Sequence, residues 1–366
     1  APVHAFKARH IMLKKLSRYA RWLKWPLAFG LLFALIQLNW DGVSNLSQRK
    51  IHWPLLLAAV GVRFGSLCFT FLRWWLLVTG IGLPFRIGDA FRLGLLGEAF
   101  NSMGPGSAGG DLVKAGLLVK DHPSHRASAM ATVLLDRVLG LWALFFVGAL
   151  ASLIPAASKL SPEMQWAVYL LWIVSITGLM GIMLLLIPRV THSQVMHWMT
   201  TWRGIGQIVR ELMTSIALYQ GRPQAIAMAA SLSLLGHIGF LTTFFLCAVA
   251  VHGDQQIPSY VDHLIGIPCP EALSAVIPTP GGLGALEWAI AWFYQQHQQI
   301  VDPYSTTELL EVANANGLLT ALAYRVSAIP IAILGIAYYF TSHLGHLVLS
   351  VGPAGRFNSS RSKGDD

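Results

Sequence analysis

Charge is what this sequence has least of. Asp, Glu, Lys and Arg make up 12% of its 366 residues, about half the share of an ordinary soluble domain. Several uncharged runs approach the roughly twenty residues that cross a hydrocarbon core as a helix. These runs do not alternate polar with apolar, which excludes a transmembrane β-barrel. Cysteine is also scarce: Cys68, Cys247 and Cys269 have neither metal nor disulfide spacing, and two of them fall in apolar runs. They read as packing residues.

Catalytic signatures are missing too. No serine sits in a nucleophile elbow. No glycine-rich stretch ends in Gly-Lys-Ser/Thr, so a phosphate-binding P-loop is absent. Nothing provides for ATP, so any transport would be passive or driven by an ion gradient. The pair His122/His125 lies in a hydrophilic connection with no third ligand nearby, the pair His343/His346 lies at the end of the last span, and His237 is isolated among apolar residues. A hydrogen-bonded packing role suits His237, and neither a metal nor another cofactor is expected.

Lysine and arginine are absent from a further long stretch. Between Pro223 and Tyr324 there is none, while Asp254, Asp262, Glu271, Glu287, Asp302 and Glu308 all lie there. Basic residues gather instead at Lys7, Arg9, Lys14, Lys15, Arg18, Arg21 and Lys24, and again at Arg189, Arg203, Arg210 and Arg222. In a membrane protein this asymmetry first reports topology, so the net charge of +9 does not require nucleic acid as a partner. Cytoplasmic loops collect the basic residues, which places both termini in the cytoplasm of a cell membrane and the acidic stretch outside. The basic N-terminal segment 1–24 also favours anionic lipid. The first apolar segment lacks a small-residue cleavage site and is not read as a secretory signal.

What is present is an all-α polytopic membrane pattern with about six spanning helices, near 25–40, 52–79, 127–155, 164–188, 223–251 and 308–345. Trp25 and Trp40 bracket the first span, and Trp53 with the Trp74-Trp75 pair brackets the second, as interfacial aromatic belts do. Residues 192–218 mix apolar residues with His and Arg and read as a helix lying on the inner surface within the connection 156–222. Residues 347–366 read as a disordered cytoplasmic tail.

Two further apolar regions, about 87–120 and 262–297, are each broken by a Pro/Gly cluster. The breaks "GPGSAGGDLV" (104–113) and "TPGGLGALEW" (279–288) share a proline, a Gly-Gly pair and then an acid as the apolar run resumes. Each break lies between two spans, in units 52–155 and 223–345, and the charge-based topology gives the units opposite orientations. That is an inverted repeat with two re-entrant hairpins, the sequence mark of a transporter's midplane site. Irregular backbone at membrane depth is tolerated where protein buries it or it lines a cavity. A helix that restarts there offers N–H groups suited to phosphate. Two plainer readings stand beside this one: surface turns at the clusters, and Asp111 and Glu287 as ordinary first-turn acids.

Charges inside spans are functional candidates, because each costs roughly 2.5–3.5 kcal/mol on insertion. Asp136 and Arg137 in "TVLLDRVLGLW" lie roughly 15 Å into their span at the helical rise, and Arg325 in "ALAYRVSAIP" is similarly deep, just before Pro330. Glu98 precedes the first break and Lys114 follows it. Asp136 and Arg137 point about 100° apart, so they serve different partners, Arg137 with Glu98 for example. Arg137 and Arg325 either face a central cavity and bind a lipid phosphate, or merely fasten helices together. Arg73 is placed to snorkel to the inner end of its span, and Arg63 finds no role.

Four motifs in order, "GEAFNSMGPGSAGGDLVKAGLL", "ASAMATVLLDRVLGL", "PTPGGLGALEWA" and "LAYRVSAIPIAILG", resemble the lysylphosphatidylglycerol synthase transmembrane family. This is the flippase-like domain also found at the N-terminus of the bacterial multiple peptide resistance factor. The resemblance implies a lipid-translocating domain over 25–346 whose paired re-entrant helices form the translocation region. It carries Asn101, Pro105, Gly109, Gly110, Asp111, Asp136, Arg137, Pro280, Gly281, Gly282, Gly284, Glu287 and Arg325 into that region. The soluble aminoacyl-transferring domain of the resistance factor has no counterpart here, so synthase activity is not expected. The leading expectation is a flippase-like transporter for an anionic phospholipid or a polyprenyl-phosphate-linked lipid. An integral membrane enzyme or accessory subunit acting on lipid-linked substrates is the rival, and a lipid-binding scaffold a third reading. Expected partners are membrane lipids with an anionic headgroup. A homo-oligomer and a partner lipid-modifying enzyme are also compatible.

Overall fold

The computed structural model describes residues 50–101, 109–154, 162–188, 219–253, 257–277 and 282–349, with isolated positions between 194 and 217. All regular structure among them is α-helical. The first expected span (25–40), most of the 192–218 surface segment, Pro105, Pro280 and Gly281 lie outside the described residues. Five described helices are long and apolar enough to cross a membrane: Trp53–Gly80, Ser128–Ala151, Gln165–Leu184, Pro223–His252 and Thr307–Tyr338.

The first unit runs α1 (Trp53–Gly80), α2 (Ile87–Asn101), α3 (Gly109–Asp121) and α4 (Arg126–Ala151). A single helix, α5 (Pro162–Leu186), leads on. The second unit is α6 (Pro223–His252), α7 (Tyr260–Gly266), α8 (Pro268–Val276), α9 (Ala285–Val301) and α10 (Thr307–Leu349). α10 runs three residues beyond the expected start of the tail.

Local chemistry sets the boundaries. α1 and α6 each open with a proline in their first turn, where the missing N–H is not needed. α7 opens with a capping box, Ser259 accepting from the Asp262 N–H and Asp262 accepting from the Ser259 N–H. The first arm of the second broken region splits at Ile267, because Pro268 starts a new helix and Pro270 follows within its first turn.

The broken segments are hairpins, and the hydrogen bonds at their bases show it. His122, at the end of α3, bonds the carbonyl of Pro84 just before α2, at 3.1 Å. In the second unit His297 of α9 returns to Asp262 of α7 at 3.2 Å, and Tyr294 meets His263 at 2.9 Å. With 15 and 13 residues, α2 and α3 reach about 22 and 20 Å, short of a hydrocarbon core about 30 Å thick.

The units are inverted. α1 packs against α6 more extensively than any other pair of helices described. The His52 N–H bonds Ala250 O at 2.9 Å at one end of the pair, and Arg222 bonds Gly80 O at 3.1 Å at the other. α1 and α6 are therefore antiparallel. Each hairpin follows the C-terminal end of its unit's first helix, so the two hairpins enter from opposite sides. The units also exchange partners: α10 packs on α2, and α4 packs on α7 and α8. The main core lies where they cross, around Phe244 and Tyr324, whose stacked ring centroids are 3.5 Å apart.

Within the first hairpin the arms touch through backbone. A Cβ on Gly110 would lie 1.8 Å from the carbonyl oxygen of Gly97, and backbone cannot yield as a flexible side chain can. Overpacking of this kind costs about 1–3 kcal/mol or more. Gly110→Ala is therefore expected to lower unfolding stability in detergent by at least that much. Gly116→Ala on the same helix, with nothing within 4 Å, should leave stability unchanged or slightly raised. Equal stability of the two variants would contradict the hairpin contact.

Candidate functional site

Charged side chains meet in one cavity of about 900 Å³ between the hairpin tips. Glu98, Asn101, Asp111, Lys114, Asp136, Arg137 and Arg325 of the sequence-derived candidates all line it. Glu287 stands behind Arg325 as its ion-pair partner. Gly282 and Gly284 form the turn into α9, and Gly109 and Gly110 begin α3.

The two tips carry the same device. Asp111, third residue of α3, is held by Arg137 of α4. Glu287, third residue of α9, is held by Arg325 of α10. Each acid sits in the first turn of the returning arm, and each arginine comes from the span that follows. A second arginine nitrogen, Arg325 Nη2, donates to the Gly282 carbonyl at 2.9 Å and to Glu287 Oε2 at 3.2 Å. Gly282 and Gly284 have φ of 68° and 85°, left-handed values that favour glycine. They bend the chain so that Glu287 Oε2 accepts from the Gly284 N–H at 2.8 Å.

The first helix restart is also satisfied internally. Asn101 Oδ1 accepts from the Gly110 N–H at 2.8 Å, so the side chain of one arm caps the helix of the other. The Gly110 and Gly284 N–H groups are thus already engaged within the protein.

Deeper in, the pairing differs from the sequence-based expectation. Glu98 engages Arg63 at 3.1 Å, while Arg137 engages Asp111, so each residue of the anticipated Arg137–Glu98 pair holds another group. Arg73 does not snorkel. Its side chain is buried and Nε lies 2.6 Å from Asp136 Oδ1, while Nη1 donates to Ser233 of α6 at 3.0 Å. Lys114 completes this inner cluster, 2.6 Å from Asp111 and 3.9 Å from Asp136, with its ammonium 5.3 Å from the centre of the Trp74 ring. As anticipated, the neighbours Asp136 and Arg137 serve different partners.

Arg63, Arg73, Tyr324, His237 and Glu271 also line the cavity and were not singled out as site residues by the sequence. The guanidinium carbon of Arg63 lies 4.2 Å over the Tyr324 ring, and Nη1 donates to the Tyr324 carbonyl at 3.1 Å. His237 bonds the Ser233 carbonyl at 2.8 Å, as its packing role required. The available signal was the pair of arginines ten residues apart in α1 and the acid following Pro268 and Pro270.

Among the described residues the cavity is not sealed in protein. Along α4 the side chains of Met130, Leu134, Val138 and Leu141 are 38–51% exposed and still line it. Leu112 of α3 and Val276 of α8, 72% and 80% exposed, flank the same mouth. Arg137 stands beside Val138 with 39% of its side chain accessible. A charged interior thus opens sideways through an apolar rim.

The Arg73–Asp136 pair is the most deeply buried of the ion pairs described, at 4% and 3% exposure. Arg73→Ala leaves a buried carboxylate with Lys114 as its remaining cation, and should destabilise the fold by about 3–5 kcal/mol. The double variant Arg73→Met, Asp136→Leu should recover most of that loss, because an apolar pair of similar volume often replaces a buried ion pair without penalty. Reversible unfolding in mixed detergent micelles measures both. A single variant as stable as the double one would contradict the pairing.

The family model described as the lysylphosphatidylglycerol synthase TM region matches residues 21–296. No curated protein and no solved structure gave a significant match. The matched stretch includes the first hairpin and the second as far as residue 296 within α9, and ends before α10, so Arg325 enters the site on its geometry with Glu287. The chain is an integral membrane protein and belongs to the lysylphosphatidylglycerol synthase transmembrane-region family, an assignment that ties its work to membrane lipid.

Proposed function

We propose that this protein moves an anionic phosphate-bearing lipid, a phospholipid or a polyprenyl-phosphate-linked lipid, between membrane leaflets. The observation that carries the reading is the sideways-open cavity. Its interior holds Arg63, Arg73, Lys114, Arg137 and Arg325, and its rim is apolar. A phosphate headgroup fits the interior chemistry, since arginine binds phosphate through paired N–H donors. Acyl chains fit the rim, where they remain in lipid while the headgroup crosses. A volume of about 900 Å³ suits a headgroup rather than a bare ion.

Arg137 and Arg325 stand at the tips of hairpins that enter from opposite sides. In the proposed cycle a headgroup displaces Asp111 from Arg137 or Glu287 from Arg325, so that an arginine exchanges one anionic partner for another. Rocking of one inverted unit against the other then alternates access. The lysine- and arginine-free 223–324 stretch includes the base of the second hairpin. By the positive-inside rule it faces outward, which places the first hairpin's base and both termini in the cytoplasm of a cell membrane.

Proteoliposomes containing a short-chain fluorescent phosphatidylglycerol test this reading, with a membrane-impermeant quencher reporting the leaflet. Wild-type protein should accelerate exchange between leaflets. Arg137→Ala and Arg325→Ala should each slow it by about ten- to a hundredfold, the equivalent of one lost charge-assisted hydrogen bond. Folded wild-type protein that moves none of a panel of anionic and polyprenyl-phosphate lipids would contradict it.

A further inference from the structure

One cavity acid stands apart from the others. Of the four carboxylates lining the cavity, Glu98, Asp111 and Asp136 each hold a cation. Glu271 of α8 forms no ion pair among the described residues, and its Oε2 is buried without a hydrogen-bond partner there. It is not a remote side chain. The Tyr324 hydroxyl of α10 lies against its carboxyl group, and the charges that act on it are Arg63 of α1, Glu98 of α2 and Arg137 of α4.

Among the described residues the remaining neighbouring helices bring no further partner. Glu287 of α9 is tied to Arg325, His263 of α7 bonds Tyr294, and α5 presents only Val174 to the cavity. Glu271 is therefore the acid whose charge can change without dismantling an ion pair.

Charge balance gives that change a consequence. With Glu287 counted as the partner of Arg325, five cations face five carboxylates in and beside the cavity among the described residues. Discharging Glu271 leaves one positive charge unbalanced, which matches the single negative charge of a phosphodiester headgroup. A headgroup entering while Glu271 is ionised would bring an excess anion into a low-dielectric site, an expensive arrangement.

We infer that Glu271 is the proton-carrying carboxyl of the cavity, taking up one proton from the aqueous phase as an anionic headgroup enters and releasing it as the headgroup leaves. This rests on the lipid-transport reading and adds to it the coupling ion. Lipid movement then becomes sensitive to a pH difference across the membrane, and one proton travels with each headgroup. The sign follows from linkage. A headgroup that prefers protonated Glu271 binds fully at low pH, and above the carboxyl's own titration range its affinity falls tenfold per pH unit.

Two measurements on the full chain in nanodiscs test this. The first is an infrared pH titration without added lipid, between about pH 5 and 9, the range open to a perturbed buried carboxyl. A protonated-carboxyl band should titrate in wild-type protein and vanish in Glu271→Gln. Absence of any Glu271-dependent band overturns the assignment, whatever the lipid data say.

The second adds phosphatidylglycerol at weakly buffered alkaline pH and reads proton uptake and lipid binding separately. Wild-type protein should take up about one proton per lipid bound. Glu271→Gln should bind without uptake and without the pH slope, and Glu271→Asp should restore both. Binding by wild type with no proton uptake, or unchanged uptake in Glu271→Gln, overturns the inference. A Glu271 band that titrates in a protein binding no lipid would sink the transport reading while leaving the proton site standing.

Discussion

An ionised side chain among apolar helices needs an opposite charge, and in this chain those charges lie mostly on different helices. Arg63 of α1 meets Glu98 of α2, Arg73 of α1 meets Asp136 of α4, and Lys114 of α3 joins Asp111 to Asp136. Without an aqueous driving force between them, helices in lipid depend on close packing and such polar contacts. The short arms depend on them most, since neither α2 nor α3 spans the core on its own length. Pairing therefore does two jobs: it holds the hairpins at depth and concentrates charge where they end.

The two units share the tip device and differ behind it. Arg137–Asp111 and Arg325–Glu287 occupy equivalent places. Only the first unit adds Arg63 and Arg73 in its opening helix, whereas α6 is without Asp, Glu, Lys or Arg and faces Arg73 with Ser233. The second unit contributes Glu271, with its buried oxygen. This asymmetry makes the cavity more than a symmetric pore, because one half supplies a fixed lattice of ion pairs and the other an adjustable charge.

Much of the architecture was legible in the sequence because it rests on local pattern. Length and apolarity marked the long helices. Glycine and proline marked both breaks. What failed was long-range. Arg73 looked able to snorkel because distance along its own helix suggested an end, but the packing of α4 and α6 buries it. Arg63 had no visible role because Glu98 and Tyr324 lie 35 and 261 residues away. Glu271 read as one more acid on the outward-facing stretch, since a missing partner shows only when every neighbour is in place.

The central claim is that a phosphate headgroup occupies the cavity with its chains leaving across the α4 rim. A density map of the protein in nanodiscs containing phosphatidylglycerol tests it most directly. The account predicts headgroup density within hydrogen-bonding reach of Arg137 or Arg325, with Asp111 or Glu287 displaced and acyl density running past Leu134, Val138 and Leu141. Headgroups confined to the outer surface of the bundle, with both tip pairs intact, would contradict it.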